Sequence, residues 1–182
     1  HMSQYLDGNI MPRDQYGDWC VPPEKPELIH SEDPARKTPP EVIGTAYYIH
    51  VLDLLARYAQ VLGEEDEAAA FRLQASTMER AFDERFWNAE AKSYANGAAT
   101  AQVLPLYFGI AQGTRAEDAF ASLVNTLEVK NNGHIATGLI GTQWLMRTLS
   151  DHRRGDLALR ITTQKDYPSW GYMIENGATT IW

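Results

Sequence analysis

From residue 40 onward, apolar positions recur at helical spacing over most of the chain. Ile43, Tyr47, His50, Leu54, Tyr58 and Val61 lie three or four apart, with Asp53, Arg57 and Gln60 on another face. This predicts a first helix with the stripe as its core face and Gly63 as its stop. A second helix is expected from about Asp66 to Phe86, with Phe71, Ala75, Met78, Phe82 and Phe86 inward. Its other face carries Arg72, Glu79, Arg80, Asp83 and Glu84 at ion-pair spacing. After a turn-rich connector, residues 88–97, a third helix begins near Thr100 with Val103, Leu104, Tyr107, Phe108 and Ala111, and tolerates Pro105.

Thr114 and Glu117 read as a capping box opening a fourth helix through Phe120, Leu123, Val124 and Leu127. Asn131-Asn132-Gly133 is a turn without flanking alternation, so no hairpin follows from it. Helices resume at Thr137, with Leu139, Ile140, Trp144, Leu145 and Leu149, and at about Gly155–Thr163. Pro168 interrupts, and a last helical start is placed near Gly177. The sum is roughly six or seven helices and no convincing strand, an all-α chain of antiparallel helical hairpins. At this level an open helical repeat and a closed toroid remain equivalent.

Residues 3–40 read differently. Prolines at 12, 22, 23, 26, 34, 39 and 40 exclude long helices and central strands, yet the segment is rich in aromatic and acidic residues. His1-Met2 reads as a cloning remnant.

Composition narrows the chemistry. Sixteen Lys+Arg stand against 24 Asp+Glu in 182 residues, a formal net charge of −8. That argues against nucleic acid, which needs clustered cations. No apolar run is long enough to span a bilayer, so no membrane partner is expected. The single cysteine, Cys20, excludes a disulfide framework and makes a weak nucleophile candidate. His30, His50 and His152 have no metal-ligand spacing, and there is no HExxH, GxSxG, Walker or GxGxxG pattern, so no metal or cofactor is expected.

Three passages hold more polar and aromatic residues than packing requires. Asp14-Gln15-Tyr16-Gly17-Asp18-Trp19 places a carboxylate beside an indole in a glycine-containing loop. An indole stacks on the C–H face of a sugar while a carboxylate accepts its hydroxyls; a buried anchor with Asp18 as a cap is the competing reading. Gly133-His134-Ile135-Ala136-Thr137-Gly138 puts His134 before a helix, for hydroxyl contact or for satisfying a tight turn. Tyr167 to Trp182 gathers aromatics around Glu175, a carboxylate candidate or an ion-pair partner. Glu24, Glu27, Glu32 and Asp33 add further carboxylates, and glycoside hydrolysis uses a pair.

Tyr16–Glu24 (YGDWCVPPE) with Ser31–Pro39 (SEDPARKTP), then Asn131–Leu145 (NNGHIATGLIGTQWL), then Tyr167–Trp182 (YPSWGYMIENGATTIW) resemble, in that order, blocks of the alpha-L-rhamnosidases of glycoside hydrolase family 78. The resemblance implies an α/α toroid of six-hairpin type and inverting hydrolysis of terminal alpha-L-rhamnose, with two carboxyls about 6.5–9.5 Å apart. It places the general base directly after Trp182 and the general acid upstream of the chain. On that alignment residues 41–182 are a piece of the catalytic toroid truncated at both ends, and residues 3–40 its substrate-side loop. Neither catalytic carboxylate is then present, and the piece is inactive alone; Glu175 becomes catalytic only if the alignment is shifted. Trp19 matches the tryptophan that packs on rhamnose, with Asp18 and His134 as neighbours. The expected partner is a rhamnose-containing carbohydrate, the parent enzyme is expected to be exported, and faces uncovered by truncation favour self-association. The alternatives are another α/α-toroid hydrolase or lyase, and a non-catalytic helical-repeat module in which Trp19, Trp170 and Trp182 are core residues.

Overall fold

The computed structural model describes residues 2–12 and 16–181. His1, Arg13, Asp14, Gln15 and Trp182 lie outside the described residues. Up to Pro39 the described chain carries two short 3-10 turns, Met2–Tyr5 and Pro34–Arg36, and one bridge between Asp7 and Ile10.

Helix α1 (Pro40–Leu62) opens on Pro39-Pro40, whose fixed φ suits a first helical turn. Gly63 ends it at φ +80°, the left-handed conformation that glycine takes without steric cost. Helix α2 (Glu65–Phe86) returns antiparallel, so that Arg85 near its end comes within 3.8 Å of Glu41 near the start of α1. A two-rung antiparallel ribbon, β1 (Trp87–Asn88) with β2 (Ser93–Tyr94), leads to α3 (Ala99–Tyr107). Helix α4 (Gly113–Asn125) continues as one π-helical turn, Thr126–Lys130. Then come α5 (Leu139–Asp151), α6 (Gly155–Thr163) and the short α7 (Trp170–Glu175).

Helix α1 packs on α2, α3 on α4, and α5 on α6, while α1 touches α3 and α3 touches α5. Three hairpins therefore stand side by side, with the first helix of each in one layer and the second in another. Helix α3 is central: every residue from Ala99 to Leu106 is buried. Burial on all sides explains why its sequence is apolar throughout rather than striped. Its one amide is fully used. Gln102 donates to the Tyr94 carbonyl (2.9 Å) and accepts from the Tyr94 N–H (2.8 Å), which ties the ribbon to the helix. The Tyr94 hydroxyl donates to Asp83 (2.7 Å), whose other oxygen takes Arg115 at 2.5 Å. Burial, with the Asp83 carboxylate beside it, pushes the Tyr94 phenol up. Among the described residues, no helix is both long and apolar enough to cross a membrane.

The structure corrects four expectations. In α1 the buried positions are Val42, Ile43, Thr45, Ala46, Tyr48, Ile49, Leu52, Ala56 and Ala59. Tyr58 and Val61, expected inside, are 60% and 85% exposed. This helix is apolar on more than one side, so periodicity alone does not pick the face. The Thr114–Glu117 capping box does not form, because α4 starts at Gly113 and so places Thr114 inside its first turn. The last helix precedes Gly177 rather than starting there: the Ser169 hydroxyl accepts from the Tyr172 N–H (3.0 Å) and begins α7, and Gly177, at φ +84°, follows its end. Strands β1 and β2 stand where the sequence pattern predicts only a turn-rich connector. Two residues are too few for alternation to show, and the turn is set by Asn88, whose Oδ1 accepts from the Glu90 (3.1 Å) and Ala91 (3.0 Å) amides.

Candidate functional site

The inner helices α3 and α5 start at the same end of the molecule, where Asp18 joins them. Its Oδ2 accepts from the Gly138 N–H (2.8 Å) and from the Thr100 hydroxyl on α3. Its Oδ1 accepts from the N–H groups of Ile140 (3.0 Å) and Gly141 (3.0 Å). The remaining N–H of that turn, Leu139, donates to the Trp19 carbonyl (2.6 Å). The free amides that open α5 are thus satisfied from 120 residues away in sequence, and an anion sits at the positive end of the helix. Glycine is required at two positions. A Cβ on Gly138 would collide with the Asp18 and Trp19 carbonyls, and one on Gly141 with the Thr100 side chain. Burial raises the Asp18 pKa, and the Thr100 hydroxyl and the three amides oppose that rise.

The consequence falls on Trp19. Asp18 is buried, 9% exposed, while the next residue is 56% exposed. The indole lies on an open groove of about 480 Å³, lined also by Tyr16, His30, Lys37 and Thr38. The rings of Tyr16 and Trp19 are 6.5 Å apart and tilted by 38°. A backbone this firmly held presents an aromatic face without a large loss of freedom on binding. The far wall is organised by Glu24, which accepts from the Ser31 hydroxyl (2.5 Å) and the Asp33 amide (3.0 Å). These bonds, the Ser31 hydroxyl first, pull the Glu24 carboxyl down to about 2. Asn96 adds two bonds from the ribbon side, to the carbonyls of Pro34 (3.1 Å) and Lys37 (2.8 Å).

Of the residues picked from sequence, Trp19 and Asp18 therefore meet at one site. The Asp18 carboxylate has four acceptor positions and uses four, so it has none left for a sugar hydroxyl. Its part is to place Trp19. His134 is 6% exposed. Its Nδ1 donates to the Asn131 carbonyl (2.9 Å) and its Nε2 meets Asp166 (3.0 Å), so it joins the turn before α5 to the segment before α7 and leaves no ring nitrogen for a sugar. The contact holds the Asp166 carboxyl below its ordinary value. Glu175 ends α7 half-exposed, 3.3 Å from Lys165. Trp170 packs partly buried against the core. Cys20 is exposed beside Trp19. Among the described residues no cluster of His, Cys, Asp and Glu is placed to hold a metal ion. Sequence reasoning missed Thr100 and Gly141 as parts of the site and gave Gly138, inside a passage it singled out, no role of its own; two glycines three apart at a helix start were the available signal.

Comparison with known proteins gives one answer throughout. The family model described as the bacterial alpha-L-rhamnosidase 6 hairpin glycosidase domain matches residues 1–182. An alpha-L-rhamnosidase of Streptomyces avermitilis is 33% identical over the whole chain, which corresponds to 16% of that protein. One from Formosa agariphila is 31% identical over 92% of the chain and 17% of its own length. The structure of alpha-L-rhamnosidase from Dictyoglumus thermophilum superposes with a TM-score of 0.88 at 29% identity, covering 99% of this chain and 20% of that one. The Streptomyces avermitilis enzyme complexed with L-rhamnose superposes with a TM-score of 0.85 at 32% identity, covering 100% and 16%. The chain thus spans between 16% and 20% of the length of these relatives.

Proposed function

The chain belongs to the bacterial alpha-L-rhamnosidase six-hairpin glycosidase family, and from that membership we propose that it forms the part of such an enzyme's catalytic domain that presents Trp19 to a terminal alpha-L-rhamnose. The observation that carries the reading is the Asp18 junction, which commits four hydrogen bonds to holding one exposed indole over a groove. Trp19 contacts the sugar; Asp18 positions Trp19, and His134 joins the turn before α5 to the segment before α7. The L-rhamnose bound in the Streptomyces avermitilis structure supports the choice of sugar.

The reaction of the whole enzyme is hydrolysis with inversion, in which two carboxyl groups about 6.5–9.5 Å apart seat a water between one of them and the sugar. Three carboxylates of this chain that would be candidates are otherwise engaged: Asp18 in the helix start, Glu24 in its loop, and Glu175 with Lys165. We expect the chain by itself to bind without turnover. Val51, Leu55, Tyr58 and Leu62 leave an exposed apolar stripe along α1, which favours self-association at high concentration.

The test has two readouts. Titration with L-rhamnose gives a saturable change in tryptophan fluorescence that is lost in Trp19→Ala, and an aryl rhamnoside is not turned over above buffer. Turnover that disappears in Glu175→Gln overturns the assignment.

A further inference from the structure

We propose that Tyr167 is a positioning residue for the Trp19 groove: its hydroxyl braces the chain that leaves Trp19 against the segment before α7, so that sugar affinity at Trp19 depends on a residue outside the groove lining. The identity of the sugar rests on the reading above; the brace rests on separate observations.

Asp18 fixes the chain only as far as Trp19, whose carbonyl takes the Leu139 amide (2.6 Å). The next residue, Cys20, has φ +62°, in the left-handed region that a side chain makes costly. A turn of that kind persists where the chain is held on both sides. On the far side the backbone has few means of its own. Pro22, Pro23 and Pro26 have no N–H to donate. Among the described residues, the stretch 20–28 makes one bond from backbone to backbone within itself, from the Leu28 amide to the Lys25 carbonyl (3.1 Å). Yet Cys20 and Val21 line the groove beside the indole, so their placement sets its shape.

Side chains supply what the backbone lacks. Arg36 donates from Nη1 to the Pro22 carbonyl (3.2 Å), and Glu24 accepts from Ser31 and Asp33; these bonds tie the loop to itself. Tyr167 does something different. Its hydroxyl donates to the Pro23 carbonyl (3.0 Å), with the Lys25 carbonyl at 3.5 Å, and so ties the loop to a segment 144 residues further along the chain.

That segment is itself held. The half-buried Tyr167 ring stands edge-on to Tyr172 of α7, with centroids 5.4 Å apart and planes at 78°. Gln164 donates to the Gly133 carbonyl (3.2 Å), and Asp166 meets His134 (3.0 Å), both in the turn before α5. Helix α7 sits directly on the segment, since a Cβ on Gly171 would collide with the Gln164 carbonyl. The bonds form a closed ring. Asp18 leads from Trp19 to the start of α5, the turn before α5 leads to Gln164 and Asp166, and Tyr167 leads back through Pro23 to Cys20 and Trp19. A groove closed in this way has less ordering left to undergo when a sugar arrives.

The test removes the hydroxyl from the full chain. With fluorine-labelled tryptophan, Tyr167→Phe is expected to shift the Trp19 resonance of the sugar-free chain and to leave that of Trp144, which packs against the helical core, in place. Affinity for L-rhamnose falls about fivefold, the effect of one neutral hydrogen bond. Tyr167→4-aminophenylalanine puts an N–H donor at the same point and restores both readouts. A Trp19 resonance or an L-rhamnose affinity unchanged in Tyr167→Phe overturns the proposal. So does a shift at Trp144 as large as that at Trp19, or failure of the amine to restore what Tyr167→Phe has lost. A Trp19 shift reversed by the amine, in a protein that gives no response to L-rhamnose even with Tyr167 in place, supports the brace and overturns the reading of Trp19 as the sugar contact.

Discussion

From α1 to α6 the contacts are those of aliphatic and aromatic side chains gathered in one buried cluster. Between Tyr16 and Thr38 the segment is held mainly by individual polar bonds, among them the Asp18 contact that reaches 120 residues along the chain. The first region is redundant: many apolar neighbours share the task, and the loss of one leaves a cavity. The second is not redundant, because each bond has a direction and one partner. The lesson is that stability and site geometry are stored in different places, so they can be damaged separately.

The comparison is tested most strongly in the frame. Phe82→Ala empties a fully buried position that touches Phe86 and Tyr94, and is expected to cost about 3–5 kcal/mol in chemical denaturation. A loss below about 1 kcal/mol would mean that the hairpins are held otherwise. Asp18→Asn comes next, at about 2–3 kcal/mol, because an amide cannot accept from all four donors and leaves buried N–H groups open. Its effect on the response of Trp19 to L-rhamnose should be complete while the helical circular dichroism is retained. Trp19→Ala reverses that pattern: stability changes by about 0.5 kcal/mol or less, as for an exposed side chain, and the sugar response vanishes.

The smallest effect is a titration. Glu24 has its pKa lowered to about 2 by the Ser31 hydroxyl and its loop amides, below the ordinary 4.5. A depressed carboxylate contributes order above its unfolded pKa and loses it as pH falls through the folded one. The Asp33 amide resonance is therefore expected to hold from neutral pH to about 3 and to shift below that with a midpoint at about 2. A midpoint near 4.5 would show that Glu24 does not organise that wall.

Much of the molecule is legible in its sequence, for reasons that differ by element. The stripe of α2, Ala75, Met78, Phe82 and Phe86, is both periodic and buried, because that helix has one apolar face. Helix α1 defeats the same method because its apolar residues are not confined to one side. The YGDW loop is recognisable by its residue types, yet the duties of Asp18 and Trp19 are not separable there. Nothing local distinguishes a carboxylate that will accept a sugar hydroxyl from one that will cap a helix far along the chain. Tyr167 stands in a passage that its residue types single out, yet its duty is not legible there, since the carbonyl it holds lies 144 residues away along the chain.

The sequence alone determined the class of the fold, the hairpin order and the family, because helical period, turn residues and ordered motifs are properties of neighbours along the chain. Tertiary structure decided which face of α1 is core, that Asp18 is committed to α5, and that Trp19 is left free beside it. Those outcomes depend on which donors arrive at a given carboxylate in space, and residues brought together by packing leave no mark in the local pattern that encodes them.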